Sequence, residues 1–360
     1  FVKDIWTNCY SGISRANTAI AKIPEIKMNE SKKNRLIAEA RTLRALYYFN
    51  LVRFFGDVPL ILDLKTVEDS KGPRDSKELI YDQIIEDLTF AEEHLPLRSE
   101  YSASDEGRIN KGAAKILFGK VYLTKGDFQK AKDKLAEVVE HESEYGFGLH
   151  KDYHANWLRD TEAGIEAVLY IEYKEPPFQH NGEMALAGPK DSIPGSLGIS
   201  ALNEADIPTQ ELYDQFDNRD LRKKTNFKTE FAHLNTGEIL KSSIPLSGKF
   251  WVEGLETGDR CDVNMHIIRY ADAILMYAEA LNEVGKSTKA LAMLNRIRER
   301  AFGDDSGNFK PMSKDEFRTA ILNERRLEFP HEGHRWFDLV RTGTFIQRMK
   351  EHSAYEAKVA

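Results

Sequence analysis

The sequence predicts a mainly α fold in which helical hairpins flank a loop-rich insertion containing a few short strands. Three observations predict it. Residues 1–140 and 267–343 carry apolar side chains at spacings of three and four, the signature of one-sided helices. Between them, 141–266 holds 11 of the 23 glycines and 6 of the 12 prolines, and the helical period fades. Two hairpin-like segments also match each other at a constant offset. The composition fits a folded chain: of 360 residues, 41% are hydrophobic and 30% charged. Fifty-one basic residues against 58 acidic ones give a net charge of −7, which argues against a nucleic-acid-binding surface spread over the molecule. No apolar run approaches the roughly 18 residues of a membrane-spanning helix. Two cysteines, Cys9 and Cys261, exclude a disulfide framework and a cysteine-built zinc site.

Taken in order, the chain opens in the middle of a helical pattern, and Trp6 and Tyr10 read as core positions on that helix. The opening and the featureless end are expected of a piece of a longer protein. Over 31–55, Leu36, Ala40, Leu43, Tyr47, Leu51 and Phe54 make one apolar stripe. Gly56-Asp57-Val58-Pro59 stops it. Lys32, Lys33 and Arg35 read as a solvated face. A second helix spans 76–94 and ends before Pro96, and a third covers 109–125. A fourth follows the Gly126-Asp127 turn to residue 140, with Asp127 as its N-cap. Within 141–266 a β-like run from Ala167 to Tyr173 stands out. Helices return over 267–284, 287–301 and 314–328. The last opens with Ser313 at the N-cap and Glu316 three residues on, a capping box.

The repeat lies inside the helices. Gly119, Gly126, Ala131, Leu135 and Val138 recur 159 residues later as Ala278, Gly285, Ala290, Leu294 and Ile297. The pattern suits a helical hairpin: a small residue admits the partner helix, a glycine ends the first helix, and an alanine packs at the crossing. The spacing is close to that of a tetratricopeptide hairpin. Two unrelated antiparallel helix pairs share part of it by geometry alone. Repeats need neighbours to bury their faces, so the helices within 4–54 and 76–94 are candidates for further ones.

Four blocks carry a more specific likeness. The first is Ala38-Glu39-Ala40-Arg41-Thr42-Leu43-Arg44-Ala45-Leu46-Tyr47-Tyr48-Phe49, running on to Gly56-Asp57-Val58-Pro59-Leu60. The second is Gly107-Arg108-Ile109-Asn110-Lys111-Gly112 with its helix to Gly126. The third runs from Ile268-Arg269-Tyr270-Ala271-Asp272 to Asn295-Arg296-Ile297-Arg298. The fourth is Glu324-Arg325-Arg326-Leu327-Glu328-Phe329 followed by Glu332-Gly333-His334-Arg335-Trp336-Phe337-Asp338. In this order they resemble the SusD/RagB family of outer-membrane nutrient-binding lipoproteins of Bacteroidetes. The family's N-terminal lipidated cysteine and its C-terminal stretch are not in this sequence. The resemblance implies one SusD-like domain over 1–360, with 1–140 and 267–343 as an α/α superhelical scaffold and 141–266 as the ligand-binding insertion. It implies a non-enzymatic binder, lipid-anchored on the outer face of the outer membrane. That binder captures an oligosaccharide, or less often a peptide, and passes it to a SusC-like TonB-dependent transporter. No cofactor, no metal and no nucleic-acid partner is implied. The alternatives are a tetratricopeptide-type adaptor and, from the enzyme class, a glycoside hydrolase with two acidic residues in the insertion.

Motifs that suggest chemistry do not hold together. His331 and His334 are three apart beside Pro330 and Gly333, where a zincin needs histidines four apart on a helix. Gly285-Lys286-Ser287 lacks the upstream glycine of a phosphate loop, and Gly195-Ser196-Leu197-Gly198 misses the nucleophile-elbow spacing. Glu324, Glu328, Glu332 and Asp338 lie among Arg325, Arg326, Arg335 and Arg341 and read as a partly buried ion-pair network that locks the last helices. Aromatic residues remain. Sugar rings stack on tryptophan and tyrosine while nearby polar groups bond the hydroxyls. Tyr153, Asn156, Trp157, Tyr173 and Trp251 are the candidate ligand-binding residues, on loops carried by a rigid scaffold. The competing reading has these rings filling the seam between insertion and helices.

Overall fold

A helical hairpin closes tightly only where its crossing point is small, and the residues of the internal repeat meet that condition. The computed structural model describes residues 2–63, 72–173, 207–232, 238–250 and 262–359. They fall into two compact units, Phe1–Gly146 and Phe147–Ala360.

In the first unit the helices are α1 (Val2–Lys22), α2 (Glu30–Phe55), α3 (Lys77–His94), α4 (Lys111–Lys125) and α5 (Phe128–Val139). Each start after the first is capped by a short polar side chain that accepts from a free first-turn amide. Asn29 accepts from Ser31 and Lys32, Ser76 from Leu79, Asn110 from Ala113, and Asp127 from Lys130. The α4–α5 turn closes through Gly126 at φ +79°, a backbone that L side chains rarely adopt. At the crossing, a Cβ on Gly119 would lie 2.5 Å from Leu135 Cγ, so the two helices approach as closely as they do because Gly119 has none. Ala131, Leu135 and Val138 are fully buried behind it.

One expectation fails in α2. Leu43 and Phe54 are 37% and 40% exposed, while Ala38, Thr42, Ala45, Phe49 and Val52 are buried. Helix α2 packs against both α1 and α3, so its covered face is wider than one stripe and takes in polar positions. Thr42 donates to the Ala38 carbonyl, and Arg44 pairs with Asp87 through two bonds of 2.8 and 2.7 Å. Trp6 and Tyr10 are half-buried: Trp6 packs edge-on against Phe55, and Tyr10 donates to the Pro59 carbonyl. Arg35 is drawn onto Asp105 and over the Tyr101 ring, not left in solvent.

The second unit mixes strands and helices. Strand β1 (Ala167–Ile171), foreseen within the 167–173 run, pairs antiparallel with β4 (Met265–Arg269). Strands β2 (Phe227–Ala232) and β3 (Ile239–Ser247) form a second antiparallel pair. From β4 the chain passes directly into α6 (Tyr270–Glu283), which is buried from Tyr270 to Asn282. Then come α7 (Ser287–Phe302), α8 (Lys314–Glu328) with its Ser313/Glu316 capping box, α9 (Arg335–Arg341) and α10 (Phe345–Val359). The α6–α7 turn repeats that of α4–α5: Gly285 sits at φ +76°, and Ala278, Ala290, Leu294 and Ile297 are fully buried. His331 lies at φ +60° and Gly333 at φ +71°, so the two-histidine segment bends instead of forming a helix face.

Candidate functional site

The second unit is organised around buried charge. Arg269 is the last residue of β4, at the mouth of α6, and Glu166 stands just before the paired strand β1. The Tyr270 amide donates to the Glu166 carbonyl at 2.8 Å and ties the two strand ends together. Glu328 closes α8, and Glu332 follows one bend later. Arg269 reaches Glu332 through Nε and Nη2, at 2.7 and 2.9 Å, and Glu166 and Glu328 through Nη1. Arg300, from the last turn of α7, bonds the same two glutamates. Arg222 joins Glu324 at 2.7 Å, Glu328 at 3.0 Å and Asp220 at 2.7 Å. Lys249 donates to Glu332 at 2.6 Å and to the Pro330 carbonyl at 2.8 Å. All these groups are buried, a placement that charges tolerate when each has a partner of opposite sign. Burial alone would raise the Glu328 carboxyl, but Arg300, Arg269 and Arg222 outweigh it and hold it down at about 2. A second cluster repeats the principle. Arg325 bridges Asp272 and Asp338, and Arg341 bridges Asp338 and Glu279.

The buried ion network was foreseen, but its partners were not. Glu324, Glu328 and Glu332 find Arg222, Arg269, Arg298, Arg300 and Lys249 from distant segments, not the adjacent arginines. Arg326 pairs instead with Glu211. Asp338 does keep its expected neighbours, Arg325 and Arg341.

Three of the five candidate ligand residues belong to this core. Tyr153 and Trp157 lie on one 3-10 turn and are 3% and 4% exposed, and Asn156 between them is fully buried. The Tyr153 hydroxyl donates to the Glu328 carbonyl at 2.7 Å. Its ring lies 5.0 Å from the Arg300 guanidinium. The Trp157 ring has Lys249 at 4.6 Å and Arg269 at 5.3 Å. Asn156 donates to Glu166. Rings enclosed this way have no face to offer a sugar; they use their π surfaces to shield and hold cations. This corrects the expectation of a binding platform at 153–157. Trp251 and Cys261 lie outside the described residues, and Cys9 is buried as a free thiol.

Tyr173 is different. It is half-buried just past the end of β1, and its amide donates to Asn264 Oδ1 at 2.9 Å. The Asn264 amide donates to Glu162 at 2.8 Å, and Arg159 pairs with Asp262 at 2.6 Å. Burial pushes the Glu162 carboxyl up to about 7, against the Asn264 bond. Tyr170 is half-buried beside it, 6.1 Å from the His266 ring. Tyr170 and Tyr173 are half-buried here, while Asn264 and Glu162 are buried and already bonded to backbone amides. Elsewhere, a cavity of about 410 Å³ lies beside β2, and one of about 450 Å³ lies between α1 and α2 in the first unit. Among the described residues no group of histidine, cysteine and carboxylate side chains could hold a metal ion, and no helix is long and apolar enough to cross a membrane.

Paired helical hairpins beside a small strand layer locked by buried charge define a class, and comparison with known proteins says which. Residues 241–359 match the SusD family model, and residues 2–123 match a model described as starch-binding associating with outer membrane. SusD-like protein P2 of Formosa agariphila is 31% identical over 94% of this chain and 71% of its own length. Among solved structures, a laminarin-binding SusD-like protein is 30% identical with a TM-score of 0.82, covering 97% of this chain and 79% of that one. A SusD superfamily protein of Parabacteroides distasonis is 28% identical, with a TM-score of 0.83 over 95% of this chain and 75% of that one. The chain belongs to the SusD-like family.

Proposed function

We propose that this protein captures a nutrient oligosaccharide at the outer face of the outer membrane and releases it unchanged to a SusC-like TonB-dependent transporter. The observation that carries the reading is the likeness to a laminarin-binding SusD-like protein along almost the whole chain. Residues 1–360 act as one SusD-like domain, held to the membrane by a lipid on a segment outside this sequence. No bond is broken, so selectivity rests on pocket shape and reversible affinity. Tyr173 and Trp251 make the ligand contacts, and Tyr153, Asn156 and Trp157 belong to the buried core of the second unit.

Titration calorimetry against a panel of soluble glycans tests this. Tyr173→Ala and Trp251→Ala each weaken binding roughly three- to tenfold through lost ring stacking. Trp157→Ala acts differently, costing about 3 kcal/mol of stability as a buried ring is deleted. New reducing ends during incubation would overturn the non-catalytic reading. Capture of peptides without any glycan response would favour the peptide-binding alternative. Co-purification of a TonB-dependent transporter from the native membrane checks the partner.

A further inference from the structure

Helices α9 and α10 turn large apolar side chains outward. Trp336, Val340, Ile346 and Met349 are 43% to 63% exposed. The Trp336 ring packs edge-on against Phe345, 4.9 Å between centroids, which joins the two helices. On α10 the positions Ile346, Met349, Lys350, Ser353 and Ala357 recur at helical spacing on one face, all exposed and none acidic. Lys350 makes no ion pair with a described residue. Apolar side chains scattered singly over a surface are ordinary, but gathered on one face they mark a contact. The second observation lies on the inner side of the same helices. Every other arginine of α8, α9 and α10 holds a carboxylate: Arg318 Glu283, Arg325 Asp272, Arg326 Glu211, Arg341 Glu279 and Arg348 Glu351. Arg335 holds none among the described residues. Its Nη1 donates to the Leu322 carbonyl at 3.5 Å, and Arg348 donates to Asn323 at 3.4 Å. With Arg326 the three guanidiniums gather on the 322–326 turn of α8. Burial, then Arg326 and Arg348, bring the Arg335 guanidinium down to about 10.

Whatever covers this face must accept apolar side chains and bring negative charge, because a half-buried cation sealed in without an anion is costly. We propose that α9 and α10 dock on a lipid surface that carries phosphate headgroups. Trp336, Val340, Ile346 and Met349 enter the boundary between headgroups and acyl chains, where tryptophan is at home. Lys350 and Arg335 meet the phosphates in charge-assisted bonds. Lysine in the middle of the face favours lipid over a protein partner: it is depleted at protein interfaces and drawn to anionic membranes. The inference goes beyond the glycan-binding reading and rests only on its placement of the chain at a membrane. It adds a second, reversible attachment that sets how the domain lies on the bilayer.

Co-sedimentation of the full chain with vesicles tests it. The probes are phosphatidylcholine vesicles, the same vesicles with phosphatidylglycerol, and inorganic phosphate as a free competitor. The chain binds the phosphatidylglycerol vesicles, less tightly as salt rises, and hardly binds phosphatidylcholine. Ile346→Ser and Lys350→Gln each weaken that binding about fivefold. Both positions are exposed, so the variants fold, and their glycan affinity by calorimetry is unchanged. Failure to bind either vesicle overturns the docking and leaves the glycan reading standing. Failure of every glycan to bind, with vesicle binding intact, does the reverse. Vesicle binding that ignores both substitutions, or equal binding to the two vesicles, overturns the docking too. Displacement by inorganic phosphate with no effect of Ile346→Ser makes the face an anion site and not a lipid surface. A dimer or a co-purifying protein released by Ile346→Ser, without vesicle binding, overturns it in favour of a second copy or a protein partner.

Discussion

The two units solve the same problem, burying charged side chains, in opposite ways. In the first, Asp87 takes two bonds from Arg44 and has Arg41 at 3.6 Å, with Asn17 and Gln83 completing the cluster. Burial wins there, and the Asp87 carboxyl is raised despite its arginine. In the second, Glu328 meets Arg222, Arg269 and Arg300, and Asp338 meets Arg325 and Arg341. Attraction wins, and Glu328 and Asp338 are both held at about 2. The balance of burial against the cations around it therefore decides whether a buried acid is a burden on the fold or a source of its stability.

The largest effect that can break this comparison is removal of the shared anion. Glu328→Ala leaves Arg222, Arg269 and Arg300 short of a partner and costs about 3–5 kcal/mol in urea denaturation. Arg44→Ala leaves Asp87 with Arg41 at 3.6 Å and able to take up a proton, and costs less. Equal losses would show that the opposite balance of burial and attraction at the two acids does not matter.

Acid is a milder form of the same deletion. Glu328 and Asp338 have folded values below their unfolded ones, so their contribution is full above about pH 4.5 and drains away towards pH 2. Asp87 has the reverse sign, since its raised value makes protonation favour the folded state. Hydrogen exchange read segment by segment on acidification should loosen α8 and the Glu332 bend before α2 and α3. Simultaneous loss would contradict the opposing signs.

Smaller effects sharpen the comparison between the two hairpins. Gly119→Ala drives a methyl into Leu135 and costs about 1–3 kcal/mol, read from the thermal midpoint, with Leu135→Val recovering part of it. The matching position 278 already holds alanine, so that hairpin is built to a looser crossing. Smallest of all, Gly126→Ala and Gly285→Ala each cost about 1 kcal/mol from the left-handed backbone alone, because nothing lies within 4 Å of either added methyl. A difference between these two would reveal a contact that the backbone angles do not explain.

What could be read from the sequence follows the range of the interaction. The hairpins, the caps at Asp127 and Ser313 and the strand at 167 are local, and each shows in a few adjacent residues. The α2 stripe was misplaced because a helix covered on two sides loses its single period. The partners of Glu328 were hidden, since Arg222 and Arg269 lie 106 and 59 positions away. A signal did exist: Arg269 and Asp272 interrupt an otherwise apolar run from Ile267 to Leu275, where a charge survives only if paired. Tyr153 and Trp157 are packed against those same cations, so their burial was hidden for the same reason.

The distances along the chain that hid this network also set a schedule for its assembly. As the polypeptide emerges in order, Glu166, Arg222, Arg269 and Arg300 are all made before Glu324, Glu328 and Glu332. Until those last acids arrive, Arg222 has only Asp220, and Arg269 and Arg300 share Glu166. The first unit, Phe1–Gly146, is compact in itself, so it is expected to form while the ribosome is still working. The second must wait and then close all at once. A truncation before Glu332 should therefore leave the first unit standing and the second unformed, however many of its helices are already present.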